Sequence, residues 1–286
     1  MPRSLPVEIE IEKITGQKVV RRGPLSGGCV ADVALVELAN GTRVVAKFGH
    51  DGGSFALEAW MLDYLRRKSG LPVPAVIHAG DELLLLEYLE SGDPRDARAQ
   101  RHAADLLAGL HVCTAPNYGL ERDTVIGGLH QPNPKSDSWI PFFRDQRLMY
   151  MARAAHDEGA LPLKLLTRIE NLADRLDAFL AEPARPSLIH GDMWGGNVLC
   201  RSGRIAGFVD PAIYYADPEI ELAFATLFST FGEAFFSRYR ELRDIGPEFF
   251  EVRCPLYNLY PLLVHVRLFG GGYVAQVERT LARFGF

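Results

Sequence analysis

No stretch of this 286-residue chain approaches the ~20 consecutive apolar residues that a membrane-spanning helix needs. A surplus of positive charge is also missing: 31 Lys and Arg stand against 36 Asp and Glu, a formal net charge of −5. That balance gives no electrostatic case for nucleic acid or an anionic membrane surface as partner. Cysteine is scarce. Cys29, Cys113, Cys200 and Cys254 lie far apart with no C-x-x-C pair, which fits neither a zinc site nor a small disulfide scaffold. Reduced thiols in a cytoplasmic protein are the simplest reading. Met1-Pro2-Arg3-Ser4-Leu5-Pro6 lacks the apolar core of a signal peptide. No internal repeat and no low-complexity segment is visible. What is present is an ordinary soluble composition, 48% hydrophobic and 23% charged, in a chain long enough for two lobes sharing a cleft.

The first 88 or so residues read largely as strands. Val19 to Arg22 leads into Ser26-Gly27-Gly28-Cys29. Ala31 to Leu38 and Thr42 to Phe48 are joined at Asn40-Gly41, a hairpin signal. A helix is expected over about 53–68, stopped by Gly70-Leu71-Pro72, and two further strands pair across Gly80-Asp81. After Ser91-Gly92-Asp93-Pro94, helical periodicity takes over, interrupted by short strands near 187–190, 198–200 and 205–209. Residues 115–138, rich in Gly, Pro and Asn, read as a long ordered loop. The pattern predicts an α+β, bilobal architecture: a β-rich N-lobe over 1–88 and a helical C-lobe over 89–286. Ligands favour the cleft between such lobes.

The most informative segment runs Leu188-Ile189-His190-Gly191-Asp192-Met193-Trp194-Gly195-Gly196-Asn197-Val198-Leu199. Phosphoryl transfer needs a carboxylate that orients the acceptor hydroxyl and takes its proton, and a carboxamide oxygen that helps hold a metal on the nucleotide. Asp192 and Asn197, five positions apart on a tight loop between apolar strands, are placed to share one cleft. This is the kinase catalytic-loop pattern with Gly for the usual Arg. Asp210 follows 18 positions after Asp192, in Phe208-Val209-Asp210-Pro211-Ala212, where a kinase-type Mg2+-binding Asp belongs. Asp192 is therefore the candidate base, and Asn197 with Asp210 the candidate metal ligands.

Other positions gain meaning from this context. Ser26-Gly27-Gly28-Cys29 alone is a plain turn; ahead of Lys47 its backbone N–H groups are placed to cradle phosphate. Lys47 alone would be a solvated strand lysine. Between a Gly-rich loop and a helix carrying Glu58, it is a candidate to bridge the α- and β-phosphates, oriented by Glu58. Glu87 and Tyr88 end a buried strand that crosses between lobes, and by position alone their backbone is a candidate for the adenine edge. Trp194 either stacks on a sugar-like acceptor or simply packs. His190 orients the loop, and His111 reads as a satisfied core histidine. Asp217-Pro218 reads as a helix start. Only six residues separate Asp210 from Asp217, too few for an activation segment, which argues against a conventional protein kinase. Cys29 is either an inert turn residue or, beside the phosphate cradle, an oxidation-sensitive switch.

The chain resembles the fructosamine kinase (ketosamine-3-kinase) family, within the aminoglycoside-phosphotransferase-like kinases. The resemblance rests on Gly27-Gly28-Cys29, Tyr118 through Gln131-Pro132-Asn133, and Trp139 with Phe142-Phe143 and Arg147-Leu148. It continues through the catalytic loop, Asp210-Pro211-Ala212-Ile213-Tyr214-Tyr215, Pro255-Leu256-Tyr257, and Leu268-Phe269-Gly270-Gly271. Met193 stands where Leu is usual, and Glu221 where the wider superfamily has Asp. The resemblance implies a protein-kinase-like fold and ATP- and Mg2+-dependent phosphorylation of a ketosamine hydroxyl, at C3. That phosphate becomes a leaving group on enolisation, so the adduct decomposes and frees the amine. It also implies a small-molecule or protein-bound ketosamine partner, in a monomer or homodimer, with Trp194 and Trp139 as acceptor-binding candidates. Two alternatives remain at this stage: a kinase for an aminoglycoside, choline or free sugar, and a nucleotide-binding pseudokinase, against which the intact Lys47, Asp192, Asn197 and Asp210 argue.

Overall fold

A computed structural model describes residues 7–25, 32–49 and 54–286. Ser26, Gly27, Gly28 and Cys29 lie outside the described residues. The chain begins with helix α1 (Val7–Thr15) and strands β1 (Val19–Pro24), β2 (Asp32–Leu38) and β3 (Arg43–Phe48). Helix α2 (Ser54–Lys68) and strands β4 (Val76–Ala79) and β5 (Leu83–Glu87) follow. The five strands form one antiparallel sheet in the order β1-β2-β3-β5-β4. The Asn40-Gly41 turn makes the expected hairpin, with Gly41 at φ +82°.

Alternation decides which side chains reach the cleft. On β3, Val44 and Ala46 turn to one face, where they pack with Val36, Leu83 and Leu85 under Ile11 of α1. Val45 and Lys47 turn to the other. Helix α1 was not expected. Its Val7-Glu8-Ile9-Glu10-Ile11-Glu12 run alternates like a strand, but Val7, Ile11 and Ile14 share a helical face, with Ile11 fully buried. The opposite face of β5, Leu84 and Leu86, joins a second core. That core runs through Phe55, Leu62 and Leu65 of α2 into the helical part without a break.

The helical part comprises α3 (Ala97–His111), the hairpin β6 (Thr124–Ile126) and β7 (Leu129–Gln131), and α4 (Trp139–Phe143). A π-helical turn (Arg144–Leu148) carries α4 into α5 (Met149–Asp157), and α6 (Leu163–Ala173) follows. Next come β8 (Ser187–Ile189), β9 (Val198–Arg201), β10 (Arg204–Phe208) and β11 (Tyr214–Ala216). The chain closes with α7 (Pro218–Leu227), α8 (Glu233–Leu242), α9 (Cys254–Tyr257), α10 (Leu259–Phe269) and α11 (Gly272–Arg283). Two differences from expectation concern very short strands. The Gly/Pro/Asn-rich 115–138 segment holds the β6–β7 hairpin, and β11 pairs with β8. Asp217 caps α7, accepting from Glu219 N at 2.9 Å, with Pro218 in the first helical turn. The architecture is α+β: an antiparallel sheet against a larger helical part.

Candidate active site

The loop between β8 and β9 carries Asp192 and Asn197, and its shape is fixed by backbone and buried side chains. Glu221, on α7 and fully buried, accepts from His190 N at 2.8 Å and Gly191 N at 3.0 Å through one carboxylate oxygen. Its other oxygen accepts from His111 Nε2 at 2.8 Å, and His111 Nδ1 takes the Tyr239 hydroxyl at 2.6 Å. His111 is the satisfied core histidine the sequence suggested, but what it satisfies is the carboxylate that anchors the loop. Gly191 sits at φ +86°, and a Cβ there would stand 2.1 Å from Ala212 O. Glycine alone therefore allows the catalytic loop and the Asp210-Pro211-Ala212 segment to touch, with Ala212 N donating to His190 O at 2.8 Å. His190 contributes Nδ1 as acceptor to Asp192 N at 3.4 Å, a local loop contact as expected.

Asp210 itself lies at φ +53°, a left-handed conformation uncommon outside glycine. Hydrogen bonds on both sides impose it: Val209 N to Asn197 O at 3.1 Å, and Ala212 N to His190 O. Strain of this kind gathers where a side chain must be aimed. The Asp210 carboxylate meets Lys47 Nζ, which also donates to Glu58 at 2.7 Å. Strand β3, helix α2 and the loop after β10 thus converge on one ammonium. Burial works to lower the Lys47 pKa, but Asp210 and Glu58 outweigh it and hold the pKa above the ordinary value. Burial, opposed by Lys47, pushes Glu58 above the usual carboxylate range.

Asp192 is pushed up to about 7 by burial first and by the neighbouring Asp210 charge second, while the 3.0 Å hydrogen bond from Asn197 Nδ2 acts the other way. A carboxylate titrating near neutrality is matched to taking a hydroxyl proton. The Asp210 carboxylate and the Asn197 amide oxygen, beside the Asp192 carboxylate, make a hard-oxygen donor set in which Lys47 is the counter-charge. That set fits Mg2+, which takes one or two protein oxygens and completes its shell with phosphates and water.

Two cavities meet at this loop. One, of about 310 Å3, lies under the sheet, with Val33, Val45 and Leu86 above and Leu199 and Val209 below, and it reaches Lys47 and Asp210. Glu87 and Tyr88 line it; the Glu87 amide is donated to Ala75 O at 2.8 Å and its carboxylate accepts from Ala75 N at 3.0 Å, so that amide is not offered to the cavity. The other cavity, of about 550 Å3, holds Asp192, Trp194 and Arg95 against aromatic side chains of the helical part. Gly196 lines both. Trp194 lines this larger cavity together with Asp192, its ring lying over Gly196, where a Cβ would stand 2.4 Å from it.

Trp139 is a correction. It is 0% exposed, its Nε1 donates to Tyr257 Oη at 2.8 Å, and it packs among Tyr118, Phe142 and Phe143. A tryptophan so enclosed is core and does not reach an acceptor. Sequence reasoning passed over Glu221 as an anchor and Arg95 in the larger cavity, whose Nη1 donates to Gly195 O at 2.7 Å. For Glu221 the available signal was its place one helical turn beyond the Asp217-Pro218 cap, facing inward.

Comparison with known proteins agrees with this geometry. A profile of the fructosamine kinase family matches residues 6–284. The chain is 33% identical over 283 residues to a protein of Synechocystis sp. named as a probable ketoamine kinase, covering 95% of this chain and 93% of that one. It is 29% identical over 272 residues to the chloroplastic protein-ribulosamine 3-kinase of Arabidopsis thaliana, covering 90% and 80%. A Thermobifida fusca crystal structure with a provisional fructosamine-3-kinase name superposes with a TM-score of 0.86 at 32% identity over 97% of each chain. Aminoglycoside phosphotransferase structures share the protein-kinase-like fold, and at 17% identity and a TM-score of 0.68 that likeness shows the fold alone. The chain belongs to the fructosamine kinase family.

Proposed function

We propose that the protein transfers the ATP γ-phosphoryl group to a ketosamine hydroxyl, at C3, in the cytoplasm. The observation that carries the reading is the meeting of two cavities at one loop, with Asp192 on one side and Lys47 and Asp210 on the other. Asp192 is the base that orients the acceptor hydroxyl and receives its proton. Lys47, held by Glu58, binds phosphate oxygens. Asn197 and Asp210 would hold Mg2+, which would offset phosphate charge. Trp194 covers the sugar, whose hydroxyl-bearing ring presents a C–H face to an indole. The 310 Å3 cavity takes the adenine between aliphatic side chains, and residues 1–88 and 89–286 serve as the nucleotide and acceptor halves. Cys113, Cys200 and Cys254 are free thiols, the form a reducing compartment maintains. Among the described residues no helix is long and apolar enough to cross a membrane.

The product carries phosphate on the carbon next to the keto group. Enolisation towards the nitrogen-bearing carbon then expels phosphate, and water hydrolyses the resulting imine to free the amine, which makes the reaction a deglycation. The test is ATP consumption with ribulosyl-lysine, erythrulosyl-lysine and fructosyl-lysine, free and within a glycated protein, beside choline, an aminoglycoside and free sugars. Turnover confined to ketosamines is expected. Turnover of another acceptor with none of a ketosamine would overturn the reading.

A further inference from the structure

The acceptor cavity is larger than a sugar requires, and its far wall is built differently from the catalytic loop. Its charged lining consists of Asp192 and Arg95, and Arg95 is already engaged with Gly195 O and Thr230 O. Beyond Trp194 the wall is aromatic. His265 of α10 sits amid three rings, with centroids 4.8 Å from Phe228, 4.9 Å from Tyr273 and 5.5 Å from Phe269. Phe269 and Tyr273 lie 6.2 Å apart across the Gly270-Gly271 turn, which brings the start of α11 back over the end of α10.

These rings border the helical core without being enclosed by it. Phe269 is 53% exposed and the others are half-buried. His265 Nδ1 donates to Pro261 O at 2.7 Å, which leaves Nε2 as an acceptor, and burial lowers the imidazole pKa. The ring therefore adds no cation to the cluster at neutral pH. Four aromatic rings tilted against one another along one cavity wall, none of them charged, form a poor site for hydroxyls and a better one for an alkylammonium. A cation is attracted to such faces when it comes within about 6 Å of their centroids.

A ketosamine carries such a group. Its nitrogen is bonded to the carbon beside the keto carbon, and as a dialkylamine it is largely protonated at neutral pH. We propose that Phe228, His265, Phe269 and Tyr273 receive the alkylammonium of the acceptor, while Asp192 and Trp194 hold its sugar end. This rests on the ketosamine kinase reading above. The site recognises the charged amine linkage shared by all ketosamines, and exposed Phe269 marks the side from which the rest of the amine, a lysyl side chain included, leaves for solvent. A free ketose, which has the sugar without the charge, would be discriminated against by the absence of this contact.

The test compares 1-deoxy-1-butylamino ketoses with their 1-O-butyl ethers, in both the ribulose and fructose series. The ether is nearly isosteric and equally apolar but neutral. The expected kcat/KM ratio favours the amine at least ~10-fold, equivalent to about 1.4 kcal/mol. Phe228→Leu and Tyr273→Leu should each bring that ratio to within about threefold. Equal use of amine and ether by the unaltered enzyme would overturn the aromatic ammonium site while leaving the kinase reading in place. A ratio that survives both substitutions would also overturn it. Phosphorylation of neither compound would remove the kinase reading and this proposal with it.

Discussion

The two cavities of the cleft, proposed above for nucleotide and for acceptor, are built on opposite plans. On the nucleotide side, few residues with formal charge do the positioning. Lys47 is gripped by Glu58 and Asp210, and the loop bearing Asp192 is tied down by Glu221. In the larger cavity, aromatic rings from the end of α7, α10 and α11 make the wall, and they hold one another by tilted ring contacts. Rings accept a class of substituents with shared electrostatics and varied shape. The division suits an enzyme whose chemistry is constant and whose acceptors differ.

Substitutions should separate the two halves kinetically. The largest effect belongs to Asp192→Asn, expected to lower kcat by ~10²–10⁴-fold while nucleotide binding persists. Near-normal turnover in the folded variant would remove Asp192 as base. Next is Glu221→Gln, which presents an amide N–H2 to a site filled by three donors. Loss of about 1–3 kcal/mol in urea unfolding is expected, together with a fall in kcat. An unchanged kcat would show that the catalytic loop keeps its shape without the anchor. Third, Trp194→Ala should raise the acceptor KM about tenfold, the scale of one aromatic contact, with little change in the ATP KM. Equal rises in both would dissolve the distinction between halves.

The smallest effect is on stability and has a definite sign. The Asp192 pKa is raised on folding from an ordinary 3.8 to about 7. Its carboxylate therefore destabilises the nucleotide-free fold above pH 7. That penalty fades as pH falls from 7 towards 4, because the folded state takes up the proton first. Asp192→Asn should raise Tm at pH 8 in EDTA by roughly 2–4 °C, the shift that about 1 kcal/mol gives in a chain of this size, and should gain almost nothing at pH 4. Equal gains at both pH values would mean that the carboxylate is not strained by its surroundings.

The same contrast explains what was legible beforehand. Asp192, Asn197 and Asp210 lie within 19 residues on one loop–hairpin–loop, so their spacing alone carries their geometry. Lys47 and Glu58 sit on adjoining elements and were equally readable. The acceptor wall draws on positions 228, 265, 269 and 273, which only tertiary packing brings beside Trp194. Trp139 failed for the same reason. A tryptophan shows its size in a sequence but not its neighbours, and here those are Tyr257 and two phenylalanines. Helix α1 was hidden by alternating Glu and apolar residues, and β6, β7 and β11 by lengths of three residues, too short for any period to register.

Gly196 is the party wall between the two rooms of the enzyme. It borders both the 310 Å3 cavity proposed for the nucleotide and the 550 Å3 cavity proposed for the acceptor, and the indole of Trp194 lies across it. The doorway through which a phosphoryl group would change hands is thus framed by the residue with the least to put in its way. A single methyl there would collide with the indole and lift it from its seat, so one carbon atom could disturb both substrates' rooms without touching a charged group.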